Sequence, residues 1–408
     1  MLYFKKDEIA ETYHVSVKTV TNWIRDTKDG KLGFELHTEG SKSWIANTTS
    51  NIELIEQLVA DRRKYRNARS IKTASPTPEF YKLYNPKQIF DITTNLDIYR
   101  EIPFQYGYFD GGAALWDKYA QRLASENSPN HLKAAIKLLS TSQGYIDELI
   151  SNYKRVNVID IGAGNGFPVK DFLGRIQSQG KLGRYIAVDI SSSMINIAQK
   201  NIADWFGGSV SFEGYEADIT HDRFSDLLVK EVMGESAQDT INLVLVLGGT
   251  LINFRSPDTA FQTIHDSMNR QDVMLYTRKL DSETTRQYFD FGIGEKLPPL
   301  DAKAKMVLDL MNIDKSLYDV EMGYDSYYRE RYMRIRLKIA LNLSFTFSEG
   351  SRTIELNKGE SILMWRAWHQ NPTETVMQLE RNGFDTLHTS LSMDKDYMLA
   401  ISSIKSGR

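Results

Sequence analysis

The sequence predicts an α/β fold built on a doubly wound parallel sheet, and three stretches carry the prediction. Val156, Val158, Ile159 and Ile161 form a short apolar run, as in a strand buried on both faces, and Gly162, Gly164 and Gly166 follow it at once. Residues 185–188 are a second apolar run, ending at Asp189, and residues 241–247, INLVLVL, are a third. Strand, glycine turn and helix form the ligand-binding end of such a sheet, because glycine lets backbone approach a ligand with no Cβ in the way. Asp189, after the neighbouring strand, stands where an acid can hydrogen-bond a ribose diol.

A chain of 408 residues has the length of about two or three domains. With 41% hydrophobic residues it can bury a large core, and a net charge of −3 argues against a chain that coats nucleic acid throughout. The lack of cysteine excludes disulfides, thiolate metal sites and a cysteine nucleophile. Seven histidines without paired spacing such as H-E-x-x-H lead us to expect no metal. The first residues, MLYFKKDEIA, lack the apolar core of a signal peptide. No apolar run reaches the roughly 18 residues that cross a bilayer. The expectation is a soluble, cytoplasmic protein with no membrane partner.

Residues 1–72 read as a separate module. DEIAETYHVSVKTVTNWIRD predicts two short helices around a tight turn at 13–16, with Ile9, Ala10, Val15, Val20 and Trp23 at core spacings and Ser16 as N-cap of the second. GKLGFELHTEGSKSWIA predicts a hairpin turning at 39–40. Residues 51–72 predict a helix ending in Arg62, Arg63, Lys64, Arg66, Arg69 and Lys72, a solvated face or a phosphate contact. TASPTP, 73–78, reads as a hinge.

Residues 73–153 predict a helical N-terminal cover, rich in tyrosines that serve as core or as a pocket wall. Residues 154–280 hold the sheet: a helix at 194–205, a third strand at 211–217 with Asp218 after it, the central strand at 241–247 running into GGTLINF, and a fifth strand at 273–276. The strand ends face the ligand, which puts Gly248 and Asn253 at the catalytic edge. Residues 281–408 predict an α+β lobe and the completion of the sheet. Residues 292–299 are loop-like and 308–324 helical. Met333, Ile335, Leu337, Ile339, Leu341, Leu343, Phe345 and Phe347 alternate as one long strand, turning at Gly350–Ser351 into RTIELN. The strand at 397–404 closes the sheet.

Two cofactor classes use a glycine turn of this kind. A dinucleotide fingerprint reads G-x-G-x-x-G, but here the third glycine comes one residue early, at Gly166, ahead of Phe167 and Pro168. The shorter G-x-G-x-G, preceded by Asp160, resembles the first motif of class I S-adenosylmethionine-dependent methyltransferases. That resemblance implies a class I methyltransferase Rossmann-like sheet and S-adenosylmethionine as cofactor. Asp160, Gly162, Gly164, Gly166, Asp189, Ser191 and Gly248 then fall to the cofactor. Asp218 falls to its adenine, or else serves as a turn residue.

IFDITTNLDIYRE, the glycine turn, YIAVDIS and above all LGGTLINF together resemble the histidine-specific N-methyltransferases of the ergothioneine pathway, over residues 80–405. The resemblance implies that Asn253 and Tyr99 grip an amino acid's amine and carboxylate, with Tyr288 in RQYFDFG as a further catalytic residue. Where that family holds imidazole with a Glu and a Ser, counting from Gly359–Glu360 reaches Trp365 and Ala367. A site without those hydrogen-bonding groups loses selectivity for a ring nitrogen and keeps the headgroup grip. The implied substrate is an amino acid or small amine other than histidine, with Trp365 suited to a flat or cationic group.

Residues 15–24 resemble the helix-turn-helix of excisionase-like and MerR-like DNA-binding domains, with His14 where those domains carry Gly. The hairpin would be a wing. Lys18, Thr19, Thr21 and Asn22 would face a major groove and Lys42 a phosphate. Twelve basic against ten acidic side chains over residues 1–70 is a weak balance for a DNA reader. DNA and a docked protein are thus the two candidate partners of this module. A cofactor-sensing DNA-binding regulator is the alternative to a small-molecule methyltransferase, and methylation of a macromolecule is a third reading.

Overall fold

The structure, a computed structural model, describes residues 3–68, 71–109, 111–127, 129–232, 237–287 and 297–405. The strands are β1 (Tyr3–Phe4), β2 (Leu36–Glu39), β3 (Lys42–Ala46), β4 (Ile71–Ala74), β5 (Arg155–Ile161), β6 (Leu182–Asp189), β7 (Phe212–Glu216), β8 (Thr240–Val246), β9 (Val273–Lys279), β10 (Tyr318–Asp325), β11 (Glu330–Leu337), β12 (Ala340–Phe347), β13 (Gly350–Leu356), β14 (Ser361–Trp368), β15 (Phe384–Leu391) and β16 (Tyr397–Ile404). Two compact units result: Met1–Thr73 with Ile339–Asn342, and Ala74–Lys338 with Leu343–Arg408.

In the first unit, helices Lys6–Thr12 and Val17–Lys28 lie between β1 and β2 in the chain, the sheet is ordered β1-β3-β2, and helix Thr49–Ala68 follows β3. Ile9, Val20, Trp23, Ile24, Phe34, Ile45 and Ile55 form its core. Ser16 caps the second helix by accepting from the Thr19 N–H at 3.1 Å. His14 takes φ +51°, a left-handed conformation that costs a side-chain-bearing residue more than glycine. Thr19 corrects an expectation. It is only 7% exposed, and its hydroxyl lies 2.9 Å from the Ser16 hydroxyl, so it serves the cap and does not face outward. Lys18, Thr21 and Lys42 are exposed.

The second unit is organised by a seven-stranded sheet in the order β15-β16-β9-β8-β5-β6-β7. β9, β8, β5, β6 and β7 run parallel; β16 is antiparallel to both β9 and β15. The order reverses direction at β5, so the crevice outside its carboxyl end is the switch point where such sheets bind ligands. Every side chain of β8 is buried, as expected for a central strand covered on both faces. Two apolar clusters line the two faces, one around Val158, Leu173 and Leu243, the other around Ile159, Val244 and Phe261.

The segment between β9 and helix Pro372–Arg381 departs from several expectations. The alternating run 333–347 is not one strand but two, β11 and β12, with a break at residues 338–339. Its period of two survives the break because each strand buries one face of its own. β11 pairs antiparallel with β10 and β14, whereas β12 lies beside β13. The expected helix at 308–324 ends at Leu310, because Asn312 turns left-handed at φ +61°; a short helical turn, Lys315–Leu317, and then β10 take the rest. Residues 292–296 of the expected loop lie outside the described residues. β15, which the periodicity did not reveal, is the sheet's edge, and β16 sits inside it.

Candidate functional site

The glycine turn closes β5. Gly162, Gly164 and Gly166 have φ +65°, +56° and +71°. A Cβ on Gly162 would stand 2.8 Å from the Thr250 hydroxyl, and one on Gly164 would stand 3.0 Å from the Trp116 indole nitrogen. Both therefore require glycine for conformation and for space. Trp116 comes from helix Gly111–Ser125, whose Asp117 accepts a 2.8 Å hydrogen bond from the Asn165 side chain in the turn.

Asp189 ends β6 beside this turn and accepts hydrogen bonds from the backbone N–H of Ser191 at 3.1 Å and of Gly164 at 3.2 Å. Burial pushes its carboxyl up to about 6, against those backbone donors. A half-buried acid bound to the turn through one edge suits a ribose diol. Three other cofactor candidates make bonds within the protein. Asp160 is buried and accepts a 2.8 Å bond from the Tyr185 hydroxyl, with its carboxyl pushed up to about 7 by burial. Ser191 is 1% exposed, and its hydroxyl caps helix Ser192–Phe206. Asp218 accepts from both the N–H and the hydroxyl of Thr220, the turn role weighed above. Of the tyrosines ahead of the sheet, Tyr84 and Tyr106 are core, bonded to the Tyr106 carbonyl and to Asp91 respectively.

The loop after β8 forms the other wall. Gly248, at φ +80°, donates to the Thr277 hydroxyl at 2.9 Å. Thr250 packs on Gly162 and starts the turn Leu251–Asn253. The side-chain oxygen of Asn253 is buried and meets no hydrogen-bond donor among the described residues. Such an orphaned acceptor costs free energy unless a ligand supplies the N–H. Tyr99, 46% exposed, lies under the guanidinium of Arg255, 3.0 Å from the ring centroid. Tyr99 and the Asn253 loop are thereby brought together. Tyr288 lies outside the described residues.

β14 crosses this edge. The Trp368 indole donates to the Phe254 carbonyl at 2.9 Å, and Arg278 of β9 donates to the Trp368 carbonyl at 3.0 Å. Leu363 exchanges backbone bonds with Arg100 and Ile102, just after Tyr99. Trp365 and Ala367 pair across the strands with Met333 and Arg331. Arg331, 8% exposed, lies 5.5 Å from the Trp365 ring and donates to His369 at 2.7 Å. Lys279 ends β9, 5.4 Å from the Tyr397 ring. His131, against Gly248, stacks on Trp116. Burial, then the charges of Lys279 and Arg331, lowers His131 to about 4. Sequence reasoning missed Trp116, His131, Lys279, Arg331 and His369, which share no motif; only the fold gathers them. Among the described residues no cluster of three His, Cys, Asp or Glu side chains could hold a metal.

Strand order, glycine turn and Asp189 define the class: the second unit is an S-adenosylmethionine-dependent methyltransferase with the class I sheet. Gly162, Gly164 and Asp189 fit that cofactor, which supplies an electrophilic methyl group on sulfonium when bound. Residues 90–287, just under half of the chain, match the family described as "Histidine-specific methyltransferase, SAM-dependent". No protein of curated function matches the chain. Similar solved structures include an S-adenosylmethionine-dependent methyltransferase from Clostridium acetobutylicum (9% identity, 71% of this chain and 99% of that one, TM-score 0.40). Others are the magnesium protoporphyrin IX methyltransferase of Synechocystis (12%, 74% and 98%, 0.36) and an amino pentose methyltransferase from Micromonospora echinaspora (8%, 70% and 96%, 0.33). These likenesses are remote, and the fold assignment rests on the chain's own strand order. Among the described residues, no helix is long and apolar enough to cross a membrane.

Proposed function

We propose that the protein methylates the amino nitrogen of an amino acid or related small amine, with Asn253 and Tyr99 orienting the headgroup. The orphaned side-chain oxygen of Asn253, at the carboxyl edge beside Gly249, carries this reading. It offers an acceptor for an amine N–H and leaves the nitrogen lone pair to point at the methyl donor. Displacement on a sulfonium needs that lone pair aligned about 3 Å from the methyl carbon, and a protonated amine has none to offer. The positive charge of Lys279 and Arg331, which helps keep His131 neutral, works in the same direction on an amine bound at this edge. Trp365 and Ala367 bring neither a carboxylate nor a hydroxyl to hold an imidazole, which supports a substrate other than histidine.

The test uses labelled S-adenosylmethionine and a panel of amines and amino acids. Asn253→Ala should lower methyl transfer about a hundredfold, an effect of the size seen when an orienting hydrogen bond is lost in a closed site. Its affinity for S-adenosylhomocysteine should stay within twofold. Equal loss of both would contradict the assigned role.

We propose a separate binding role for residues 1–72, with DNA as the first candidate and a protein as the second. The left-handed turn at His14 and the exposed Lys18, Thr21 and Lys42 favour DNA.

A further inference from the structure

We propose that His131 is a second acceptor for the substrate amine, beside Asn253, and that the pair restricts the site to a primary amine, which receives one methyl group. The inference rests on the amine-methylation reading above and names the substrate class and product of that site. Two consecutive glycines, Gly248 and Gly249, lead away from β8 at the carboxyl edge, and a different side chain stands over each. A Cβ on Gly248 would lie 4.0 Å from His131 Cδ2, and one on Gly249 would lie 3.6 Å from Asn253 Nδ2. His131 is the first residue of helix His131–Thr141, whose N-cap, Asn130, accepts from the Lys133 N–H at 3.1 Å. Its ring stacks on Trp116, with centroids 6.3 Å apart, and Trp116 closes on Gly164. A chain of contacts thus runs from the cofactor turn through Trp116 and His131 to the loop that carries Asn253.

The imidazole is set up to accept. Stacking on Trp116 and Tyr119 engages the faces of the rings, whereas a nitrogen lone pair lies in the ring plane. At a helix N-terminus the dipole disfavours an imidazolium. Burial, then Lys279 of β9 and Arg331 of β11, act in the same direction and lower His131 to about 4, so the ring is neutral at neutral pH. A neutral primary amine places one N–H on His131 and the other on the Asn253 Oδ1, a buried oxygen with no donor among the described residues. Those two bonds and the substituent carbon fix three directions at nitrogen, which sets the fourth, the lone pair. Methyl transfer forms an N–C bond with that lone pair, leaves the S–C electron pair on sulfur and yields an N-methylammonium ion; neither acceptor takes a proton. An N-methylamine returning for a second transfer has a single N–H. One acceptor then faces a methyl group and goes unpaired, which is costly in a buried site.

The test takes the amine methylated fastest in the panel above and compares it with its own N-methyl and N,N-dimethyl forms. Labelled transfer is measured on the full-length protein, and binding by calorimetry on the same protein saturated with S-adenosylhomocysteine. The monomethyl amine should be the main product, and kcat/KM for the N-methyl form should be about a tenth or less of that for the primary amine. The N,N-dimethyl form, with one N–H even when protonated, should bind about fivefold or more weakly than the primary amine. His131→Phe keeps an aromatic ring and removes the acceptor. Turnover of the primary amine should fall about tenfold or more, with S-adenosylhomocysteine affinity within twofold, and both preferences should shrink below threefold. His131→Gln, which restores an acceptor, should keep both. A dimethyl or trimethyl main product overturns the proposal, whether or not His131→Phe folds. Preferences unchanged in His131→Phe overturn it as well, and neither result touches the amine-methylation reading. Failure of the wild-type protein to methylate any amine sinks that reading and this one together.

Discussion

Asp189 shows how one side chain links fold and chemistry. Two backbone N–H groups fix its carboxylate beside the glycine turn, and burial raises its pKa to about 6. A ribose diol donates hydrogen bonds and so favours the ionised acid. Cofactor binding should therefore weaken as pH falls below about 6 and should release protons there, seen as a buffer-dependent binding enthalpy. Asp189→Asn should weaken S-adenosylhomocysteine binding about ten- to a hundredfold, the range for a hydrogen bond to a charged group, and should abolish the proton release. Asp160 titrates too, for a structural reason. Its folded value, about 7, lies above the ordinary 3.8, so its contribution to stability is complete below about pH 4 and is lost as pH rises through 7. Asp160→Asn should flatten that decline in thermal unfolding measured from pH 4 to 8.

Among elements, the turn after β5 and the loop after β8 form one device. Thr250 fills the space that glycine leaves at 162, and the short helical turn it starts carries Asn253. Gly162→Ala forces a left-handed alanine, at roughly 1–2 kcal/mol, and drives its Cβ into Thr250. Melting should fall by a few degrees, and both cofactor affinity and turnover by tenfold or more. Adding Thr250→Ala should restore much of the affinity, because it removes the collision and leaves only the backbone strain. The period-two run over 333–347 marks where reading elements from sequence fails. Alternation records that one face is buried, not which sheet buries it, so β11 and β12 looked continuous.

For the whole molecule, the two compact units raise separate questions. If residues 1–72 contact DNA, the full-length chain should shift duplex DNA in a salt-sensitive manner, and Lys18→Glu should weaken the shift across all sequences. Absence of any such binding at low salt would leave a protein partner as the proposal for this module. The methyltransferase unit should keep its S-adenosylhomocysteine affinity in that variant.

The sequence by itself determined the parallel sheet, the glycine turn, the acid after the second strand, the cofactor class and the family match. These are encoded locally, in apolar runs a few residues long and in glycines whose positive φ no other residue adopts cheaply. Asn253 was legible from its place after the central strand, Tyr99 only through a family resemblance, and the structure adds the orphaned amide oxygen that supports a role for Asn253. Tertiary structure alone decided that Asp160 bonds Tyr185 and Ser191 caps a helix, that Thr19 turns inward, and that β15 forms the edge. It alone gathers His131, Lys279, Arg331 and His369 at one edge from four distant segments. A charge cluster built across sheets leaves no periodic trace along the chain, because the field at each group depends on neighbours that only folding supplies.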